Sequence, residues 1–432
     1  MEKENIIIVG AGAAGLMAAK ELADKYNVTV LEASQRTGGR IRSLQTQHSP
    51  GIIEAGAEFI HGHQKQTIQL LDQAGVQYIP VEGKMYRKEK GSWEEQTEMV
   101  EGWDQLLKQM KKIKQDIPLQ DFLDTYFSDN DKADLRRHAI AFTEGFDLAD
   151  IKKVSVKSLY DEWSNEEEEN FRIPAGYGAL IHFLEDACEK KGCRILTNHT
   201  VKQIDWEKNE VTVYTDTGEK YYGNKLICTV PLKILVKASG RASINFTPPI
   251  DEYIKAGDEI GTGAVVKVVL LFRDRFWKND TGFIFSDEFF PTWWTQLPDT
   301  RPVLTGWVGG PKAAQLSDQS EEQILEKAIL SLASIFENQY HEVKNSIEEA
   351  IVFNWQQEET TLYGYSYNTL QTPAARQLLN TPIDSTIFFA GEGVYEGVSP
   401  GTVEAALVSG KQAAAKLSER GSGVINKILK KL

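Results

Sequence analysis

Three glycines with the spacing G-x-G-x-x-G form the clearest chemical motif of the sequence: Gly10, Gly12 and Gly15. The motif follows the apolar run at 5–9 and opens an alanine-rich segment, which places it between a strand and a helix. There the first glycine allows a tight turn, the second lets the backbone approach a pyrophosphate, and the third lets the helix pack on the strand. The helix N-terminus supplies amides and partial positive charge. The motif therefore predicts a dinucleotide site.

An acidic residue, Glu32, ends the next apolar run at 28–31. A carboxylate at this place can accept hydrogen bonds from ribose hydroxyls. Ala14 within the loop and Ala33 after the glutamate are predicted to line the same site. The alternative is a glycine-rich turn with a surface glutamate, which the succession of strand, loop, helix, strand and acid disfavours. FAD and NAD both remain possible, because they share this fold.

A glycine pair and two arginines follow at 38–42 and select the cofactor. Gly39, Arg40 and Arg42 are predicted to set cations beside the pyrophosphate, which an ordinary NAD domain has no reason to do. Here the chain resembles the flavin-containing amine oxidase family: monoamine, polyamine and spermine oxidases and the amine-oxidase domain of lysine-specific histone demethylases. The resemblance covers essentially the whole chain in spaced blocks and implies FAD. The first block, 10–42, is shared with phytoene desaturases and protoporphyrinogen oxidases.

The second block of the resemblance is EAGAEFIHG at 54–62. It looks like the segment that runs beneath the flavin ring in this family, which implies cofactor contacts for Gly56, Ala57 and Glu58. In polyamine and spermine oxidases a similar stretch carries a histidine at the place of His61. His61 is then a substrate-side hydrogen-bonding group or a proton acceptor near neutral pH. The alternative is a histidine fixed at a helix start.

The third block lies near the end of the chain, where a strand, a glycine turn and a helix follow one another. By resemblance, Gly391 and Glu392 hold the ribityl chain, and the helix that begins at Thr402 and Val403 faces the pyrimidine edge of the ring. A helix dipole in that place stabilises the anionic reduced flavin. Val201 matches a position where the family's backbone contacts adenine.

One lysine separates an oxidase from a desaturase. Lys267 lies within the apolar run at 265–272, and a lone lysine there is costly unless it has a role. The resemblance implies that it binds a water at flavin N5, a feature that the desaturase relatives generally lack. The alternative is a lysine of an edge strand that points to solvent.

Aromatic residues further along suggest a substrate cage. Trp355 precedes Tyr365 by ten residues, as in the family, where this tyrosine is one wall of an aromatic cage over the flavin. Such a wall positions an amine nitrogen through contacts with its π face. The pair implies a cofactor contact for Trp355 and a catalytic role for Tyr365.

Two departures from the family pattern limit the prediction. Gly364 stands where monoamine oxidases carry the cysteine that bonds the flavin, so FAD is predicted to be non-covalent. Ser399 stands where the second cage wall is expected, and Tyr395 or a tryptophan at 293–294 is a candidate replacement. The incomplete cage argues against a monoamine oxidase and leaves room for a larger, polar or amino-acid-like substrate.

The elements that must hold these residues predict an α/β protein. We expect a two-domain FAD-binding Rossmann-like (GR2-type) fold with an interleaved α+β substrate domain, because the nucleotide features lie at both ends of the chain. We expect 84–172 to be largely helical and 195–207 to be extended. The predicted FAD-binding domain covers 1–80, 176–240 and 380–432, and the predicted substrate-binding domain covers 81–175 and 241–379.

Composition bounds the partners. The net charge of −14 argues against nucleic acid as a partner and is compatible with cationic substrates. Three cysteines fit neither a disulfide framework nor a metal site and indicate the cytoplasm. No apolar run is long enough for integral membrane association. The basic amphipathic segment at 424–432 is interpreted as a terminal helix.

These features together predict FAD-dependent oxidation of a small-molecule amine to an imine. Molecular oxygen then reoxidises the flavin and gives hydrogen peroxide. A desaturase or isomerase of the same fold and a flavin-bound scaffold protein with little turnover are the alternatives. The sequence indicates neither the individual amine nor the oligomeric state.

Overall fold

The structure, a computed structural model, describes residues 3–45, 51–97, 102–165, 169–237, 239–240 and 242–419. The predicted helix at 424–432 lies outside these ranges. The strands, in chain order, are β1 (Asn5–Val9), β2 (Asn27–Leu31), β3 (Ser43–Gln45), β4 (Ile52–Glu54), β5 (Phe59–His61), β6 (Ile79–Pro80), β7 (Lys84–Glu89), β8 (Ser92–Gln96), β9 (Asn170–Arg172), β10 (Arg194–Leu196), β11 (Val201–Glu207), β12 (Glu210–Thr215), β13 (Lys220–Gly223), β14 (Lys225–Cys228), β15 (Asn245–Thr247), β16 (Gly261–Gly263), β17 (Val265–Phe272), β18 (Thr281–Ser286), β19 (Thr292–Trp294), β20 (Val303–Gly309), β21 (Ile347–Asn354), β22 (Tyr365–Tyr367) and β23 (Ile387–Phe389).

The α-helices alternate with these strands. In chain order they are α1 (Ala13–Leu22), α2 (Lys65–Ala74), α3 (Trp103–Met110), α4 (Leu119–Tyr126), α5 (Ala133–Gly145), α6 (Val156–Trp163), α7 (Gly178–Glu189), α8 (Leu232–Leu235), α9 (Asp251–Glu259), α10 (Gly310–Ala314), α11 (Glu321–Phe336), α12 (Tyr340–Ser346), α13 (Thr372–Leu379) and α14 (Val403–Ser418). None of the described helices combines the length and apolar character that crossing a bilayer needs.

A five-stranded parallel sheet, ordered β10-β2-β1-β14-β23, carries the dinucleotide motif. Its central strands β1 and β14 are apolar and buried after their first residue, because both faces of the sheet are covered. One face packs on α1, α7 and α14, and the other packs on the four-stranded sheet β13-β12-β11-β15. Gly10 and Glu32 follow the carboxyl ends of the neighbouring strands β1 and β2, and Ala390 follows that of β23, which lies beyond β14 at the edge of the sheet. Ligands of such sheets bind at this edge, so the predicted α/β class is confirmed and its site is placed.

A seven-stranded sheet, ordered β21-β17-β20-β19-β18-β7-β8, forms a second layer. All eight residues of β17 are buried, because the strand lies between β20 and β21. One face of this sheet packs its apolar residues against α11. The alternate residues of β17, which include Lys267, point to the opposite face.

Small sheets and helices connect these two layers. Strand β5 pairs with β9, which sets His61 opposite Asn170, and β22 pairs with β16, which sets Tyr365 opposite Gly263. Helices α3, α4, α5 and α6 form a separate apolar cluster that includes Phe122 and Trp163. These connections place His61 and Tyr365 between the two sheets.

Two segments differ from their predicted structure. The segment 84–172 was expected to be largely helical, but it also contains the β7–β8 hairpin and β9. The charged residues of β7 and the exposed residues of β8 hide the strand pattern of the hairpin. The segment 195–207 is not one strand. Asn198, with a φ of 57°, separates β10 from β11, and the two strands belong to different sheets.

Candidate functional site

The turn between β1 and α1 is shaped to admit a phosphate. Gly12 caps α1 and gives no side-chain acceptor to its first amides. A Cβ built on Gly12 would meet nothing within 4 Å, whereas one on Gly15 would lie 2.0 Å from the carbonyl oxygen of Gly10. Gly12 therefore leaves open space above unpaired amides, which suits an anion. Gly15 is needed for close approach of helix and strand.

Glu32 is fixed beside this turn. Its Oε2 accepts a hydrogen bond from the Ala11 amide at 2.8 Å, and its Oε1 accepts one from the Ser34 amide at 2.8 Å. Each carboxylate oxygen keeps capacity for a further bond, so the side chain can still accept ribose hydroxyls. Ala33 and Val201 lie nearby on the wall of the same cavity, where a nucleobase fits.

A continuous cavity of about 1530 Å³ runs from this turn to the seven-stranded sheet, in the part of the chain that the structure describes. It exceeds the usual range for a single small ligand, about 300–1,000 Å³. It has room for a dinucleotide and a second molecule. Every predicted site residue except Gly15 and Arg42 lines it: Gly10, Gly12, Ala14, Glu32, Ala33, Gly39, Arg40, Gly56, Ala57, Glu58, His61, Val201, Lys267, Trp355, Tyr365, Gly391, Glu392, Thr402 and Val403.

Arg40 and Glu392 bring the two ends of the chain together. The guanidinium of Arg40 contacts the carboxylate of Glu392 at 2.7 Å and donates to the carbonyl of Gly364 at 2.8 Å. Ser366 Oγ also donates to Glu392, at 2.5 Å. Burial tends to raise the pKa of Glu392, but Arg40 and these hydrogen bonds hold it below its usual range. Arg42 differs from the prediction, because it pairs with Glu358 at 3.3 Å and does not line the cavity.

The backbone at 55–57 forms a flat wall of the cavity. A Cβ on Gly56 would lie 1.8 Å from the carbonyl oxygen of Arg40 and 3.2 Å from the Trp355 ring. Trp355 Nε1 donates to the Ala55 carbonyl at 3.0 Å, which fixes the indole behind this backbone. Trp355 therefore supports the wall, and only glycine allows the chain to pass there.

The N-terminus of α14 opens on the cavity at Thr402 and Val403. Thr402 caps its own helix, since its Oγ1 accepts from the Ala405 amide at 3.1 Å. Glu404 caps a different helix, α2, by accepting from the amides of Gln66 at 2.8 Å and Thr67 at 2.7 Å. The two helix starts are thereby held side by side, and the positive end of α14 faces the cavity.

Lys267 is 1% exposed and forms a buried ionic cluster. Its Nζ contacts Glu58 Oε2 at 2.6 Å and lies 5.3 Å from the Trp294 ring. Arg172 contacts the other oxygen of Glu58 at 3.3 Å. The alternative of an edge-strand lysine in solvent is wrong, because β17 is an interior strand. The sequence did not indicate that Lys267 and Glu58 pair or that Arg172 joins them.

His61 and Tyr365 lie on the substrate side of this cluster. The Nδ1 atom of His61 pairs with Asn170 at 2.8 Å, and its ring meets Phe146 edge-on at 5.5 Å. Burial lowers the pKa of His61, against the hydrogen bond with Asn170. His61 ends β5 and does not begin a helix, so the helix-start alternative is wrong. Tyr365 donates its hydroxyl hydrogen to the carbonyl of Phe146.

Ser399 lines the cavity. Of the candidate replacements, Tyr395 and Trp294 line the cavity, whereas Trp293 is fully buried on the other side of the sheet against Gly306. The sequence reasoning missed further lining residues that lie in a charged segment without a motif. They are Phe142, Phe146, Asp147, Glu162 and Trp163.

The donor set of the site fits FAD. Open space beside Gly12 and Gly391 meets backbone amides and a helix N-terminus, and a ribose acceptor lies at Glu32. Within the described ranges, no group of three or more His, Cys, Asp or Glu side chains is placed to hold a metal ion.

Comparison with known proteins agrees with this geometry. The model of the family described as flavin containing amine oxidoreductase matches residues 13–418. The chain is 25% identical to lysine-specific histone demethylase 1B of Mus musculus over 96% of this chain and 53% of that protein. It is 25% identical to polyamine oxidase 2 of Arabidopsis thaliana over 95% of this chain and 87% of that protein. The chain thus spans about half the length of the demethylase.

Solved structures show the same fold. Wild-type putrescine oxidase bound to putrescine superimposes with a TM-score of 0.81 at 19% identity, covering 97% of this chain and 100% of that one. Cyclohexylamine oxidase from Brevibacterium oxydans gives a TM-score of 0.79 at 19% identity over 96% and 99% of the two chains. The two-domain FAD-binding fold expected from the sequence is confirmed. By the match of the family model over most of its length, the chain belongs to the flavin-containing amine oxidoreductase family, whose cofactor here is FAD.

Proposed function

We propose that this protein catalyses the FAD-dependent oxidation of an amine to an imine, with molecular oxygen as the electron acceptor and hydrogen peroxide as the product. The observation that carries the proposal is the continuous cavity. It joins the turn at Gly12 to a part of the cavity that Phe146, Trp294 and Tyr365 line beside Lys267. We call this part the aromatic chamber. A dinucleotide held at the turn would extend along this cavity, and Lys267 and Tyr365 would then lie at its far end.

When bound, FAD supplies the chemistry by accepting a hydride equivalent from the carbon next to nitrogen. The chain positions the amine and excludes water. The hydroxyl of Tyr365 is tied to Phe146, so its ring has a fixed orientation as one wall for the amine nitrogen. Burial lowers the pKa of His61, which favours the neutral imidazole, and a neutral imidazole can accept a hydrogen bond from the substrate nitrogen.

FAD is proposed to be bound without a covalent link. Gly364 has no side chain that could bond the flavin, and a Cβ there would lie 2.6 Å from Leu148 Cδ1 and 2.7 Å from Val265 Cγ1, so a cysteine would require these side chains to move. Arg40 and Glu392 are proposed to hold the cofactor between its phosphates and its ring, because their pair lies midway along the cavity.

The chamber favours a substrate with a second cationic group. Asp147 and Glu162 line its outer part, and Trp163 Nε1 donates to Asp147 at 3.2 Å. Burial is the largest cause of the raised pKa of Tyr365, and the negative charges of Asp147 and Glu162 are the next largest. Aromatic walls suit methylene chains, and carboxylates suit ammonium groups. We therefore propose a diamine or polyamine, the class named by polyamine oxidase 2 and by the putrescine complex.

The division of the chain remains as proposed from the sequence, with one adjustment. Strand β15 pairs with β11, and α9 and α13 pack in the core beneath the parallel sheet. We propose that 245–260 and 363–379 belong with the FAD-binding domain.

The cysteines are free and buried, which is compatible with the proposed cytoplasmic location.

A peroxide-coupled panel of amines tests the function. We expect putrescine or spermidine to be oxidised faster than butylamine, which has a similar chain and only one nitrogen. Asp147→Asn and Glu162→Gln should reduce kcat/KM for the diamine and spare that for butylamine. Asp161→Asn, an exposed neighbour on α6, is the matched control. Equal rates on butylamine and putrescine would contradict the substrate class, and flavin that no amine reduces would favour a scaffold role.

A further inference from the structure

A buried carboxylate separates two buried cations on the cavity wall. Glu58 Oε2 lies 2.6 Å from Lys267 Nζ, and Glu58 Oε1 lies 3.3 Å from the guanidinium of Arg172. Trp294 Nε1 donates to the same Oε1 at 2.9 Å. The charged side chains are almost entirely removed from water. The cluster carries two positive charges and one negative charge, and its net charge depends on Glu58.

The geometry keeps this carboxylate ionised. Burial opposes the charge on Glu58, but Lys267, Arg172 and the Trp294 hydrogen bond outweigh it, so the pKa of Glu58 is lowered. Arg172 is held from behind as well, since it donates to Gln296 Oε1 at 3.0 Å. A buried charge without a partner is strongly unfavourable. Removal of Glu58 would therefore leave two buried cations, Lys267 and Arg172, without the carboxylate that they share.

Of the two cations, the lysine is the one that could lose its proton if Glu58 were removed. An arginine does not lose its proton in proteins, whereas a buried lysine readily does. Of the three N–H groups of its ammonium, one reaches Glu58 and one reaches the carbonyl of Gly56 at 3.3 Å. No third acceptor lies among the described residues, and Gly56 borders the cavity. The remaining N–H is therefore available to a group inside the cavity.

Other charges surround the cluster at greater distance. Glu54 precedes Glu58 on the same wall and interacts electrostatically with both Lys267 and Glu58. Asp299 and Arg301 lie on the far side of Arg172 and act on it with opposite signs. The strands next to β17 place Trp307 and Phe353, both uncharged, opposite Lys267. Glu58 is thus the one described carboxylate in direct contact with Lys267.

We propose that Glu58 is a positioning residue that holds the Lys267 ammonium and limits the buried charge beside the flavin to one net positive charge. The inference rests on the proposed function only in assigning this cavity to FAD. It follows that Glu58 sets how readily the flavin accepts electrons, because positive charge near the ring stabilises its reduced, anionic form.

The test is the midpoint potential of bound FAD from pH 6 to pH 9, measured by reduction with a chemical reductant in the absence of any amine. In Glu58→Gln, two cations remain at low pH, so the potential should rise above wild type. As the pH increases, Lys267 should lose its proton and the difference should disappear. Glu58→Asp, which keeps the charge, should restore the wild-type profile.

The double variant Glu58→Gln/Lys267→Met, compared with Lys267→Met, provides the control. Without the lysine, the effect of Glu58→Gln should no longer depend on pH. If Glu58→Gln does not fold, Arg172→Gln gives the second readout, and it should lower the potential equally at every pH.

A pH-independent difference for Glu58→Gln, or an unchanged potential in Arg172→Gln, would overturn the inference. Failure of every variant and of wild type to bind FAD would instead refute the proposed function. The two failures are therefore distinguishable in the same experiment.

Discussion

Alanine in place of Gly12 should abolish tight FAD binding and leave the fold intact. The residue has a φ of −76°, which alanine adopts without strain, and its Cβ would meet no atom within 4 Å. The methyl group would occupy the space in which a phosphate approaches the amides of α1. Gly15→Ala is the matched comparison, because its Cβ would lie 2.0 Å from the carbonyl oxygen of Gly10.

The magnitudes separate the two variants. An alanine at the N-cap costs about 1 kcal/mol relative to better caps, and the lower entropy of the unfolded chain offsets part of this. Loss of one hydrogen bond to a charged phosphate costs about 1.5–3 kcal/mol, which is about ten- to hundred-fold in affinity. Overpacking at Gly15 costs about 1–3 kcal/mol or more, since a backbone oxygen cannot rotate away.

The assay is a pair of measurements on each variant: urea unfolding without FAD, and FAD titration followed by flavin fluorescence. Gly12→Ala should unfold within about 1 kcal/mol of wild type and bind FAD at least tenfold more weakly. Gly15→Ala should instead show a lower free energy of unfolding than wild type. Wild-type affinity in a folded Gly12→Ala protein would refute the placement of the phosphates over this turn.

Three further predictions concern other parts of the site. Tyr365→Ala should lower kcat/KM about two- to thirtyfold, whereas Tyr365→Phe keeps the wall and should retain most of it; equal losses would contradict the role of the ring. Burial raises the pKa of Glu54 to about 7 from 4.5. The protonated carboxyl therefore contributes fully to the free energy of unfolding below about pH 4.5, and this contribution is lost as the pH rises through 7. Relative to Glu54→Gln, wild type should therefore lose up to about 3 kcal/mol of stability over that range, and a flat difference in urea unfolding would count against it. Glu404→Gln should lower stability by about 1–3 kcal/mol through the loss of its α2 cap without changing the midpoint potential of FAD; an unchanged unfolding free energy would argue against the cap.

Local patterns in the sequence were sufficient to predict the strands, turn and helix that carry the candidate cofactor residues. The turn at Gly10 and Gly12 is specified by residues that are neighbours in the chain, and Glu32 follows after one helix. The same is true of β17, whose unbroken apolar run forms the strand as predicted. In that setting Lys267 was recognisable as a buried lysine with a role, because nothing else explains a cation there.

Those local patterns could not predict contacts between side chains that are far apart in the sequence. Lys267 and Glu58 are 209 residues apart, and Arg172 comes from β9, in a segment that carries no motif. Phe146 follows a charged helix and gave no signal of its own, although its carbonyl holds Tyr365. Arg42 has the spacing of a phosphate ligand, but the nearby Glu358 draws it out of the cavity, since an accessible carboxylate satisfies it there.

Anaerobic mixing of the FAD-loaded protein with putrescine tests the central claim most directly. The account predicts that the absorbance of oxidised flavin disappears in a single turnover. Readmission of oxygen should restore it with one equivalent of hydrogen peroxide. Lys267→Met, which keeps the chamber but removes the buried ammonium, should slow one or both steps. An oxidised flavin spectrum that persists with putrescine, spermidine and every monoamine tested would contradict amine oxidation as the function of this protein.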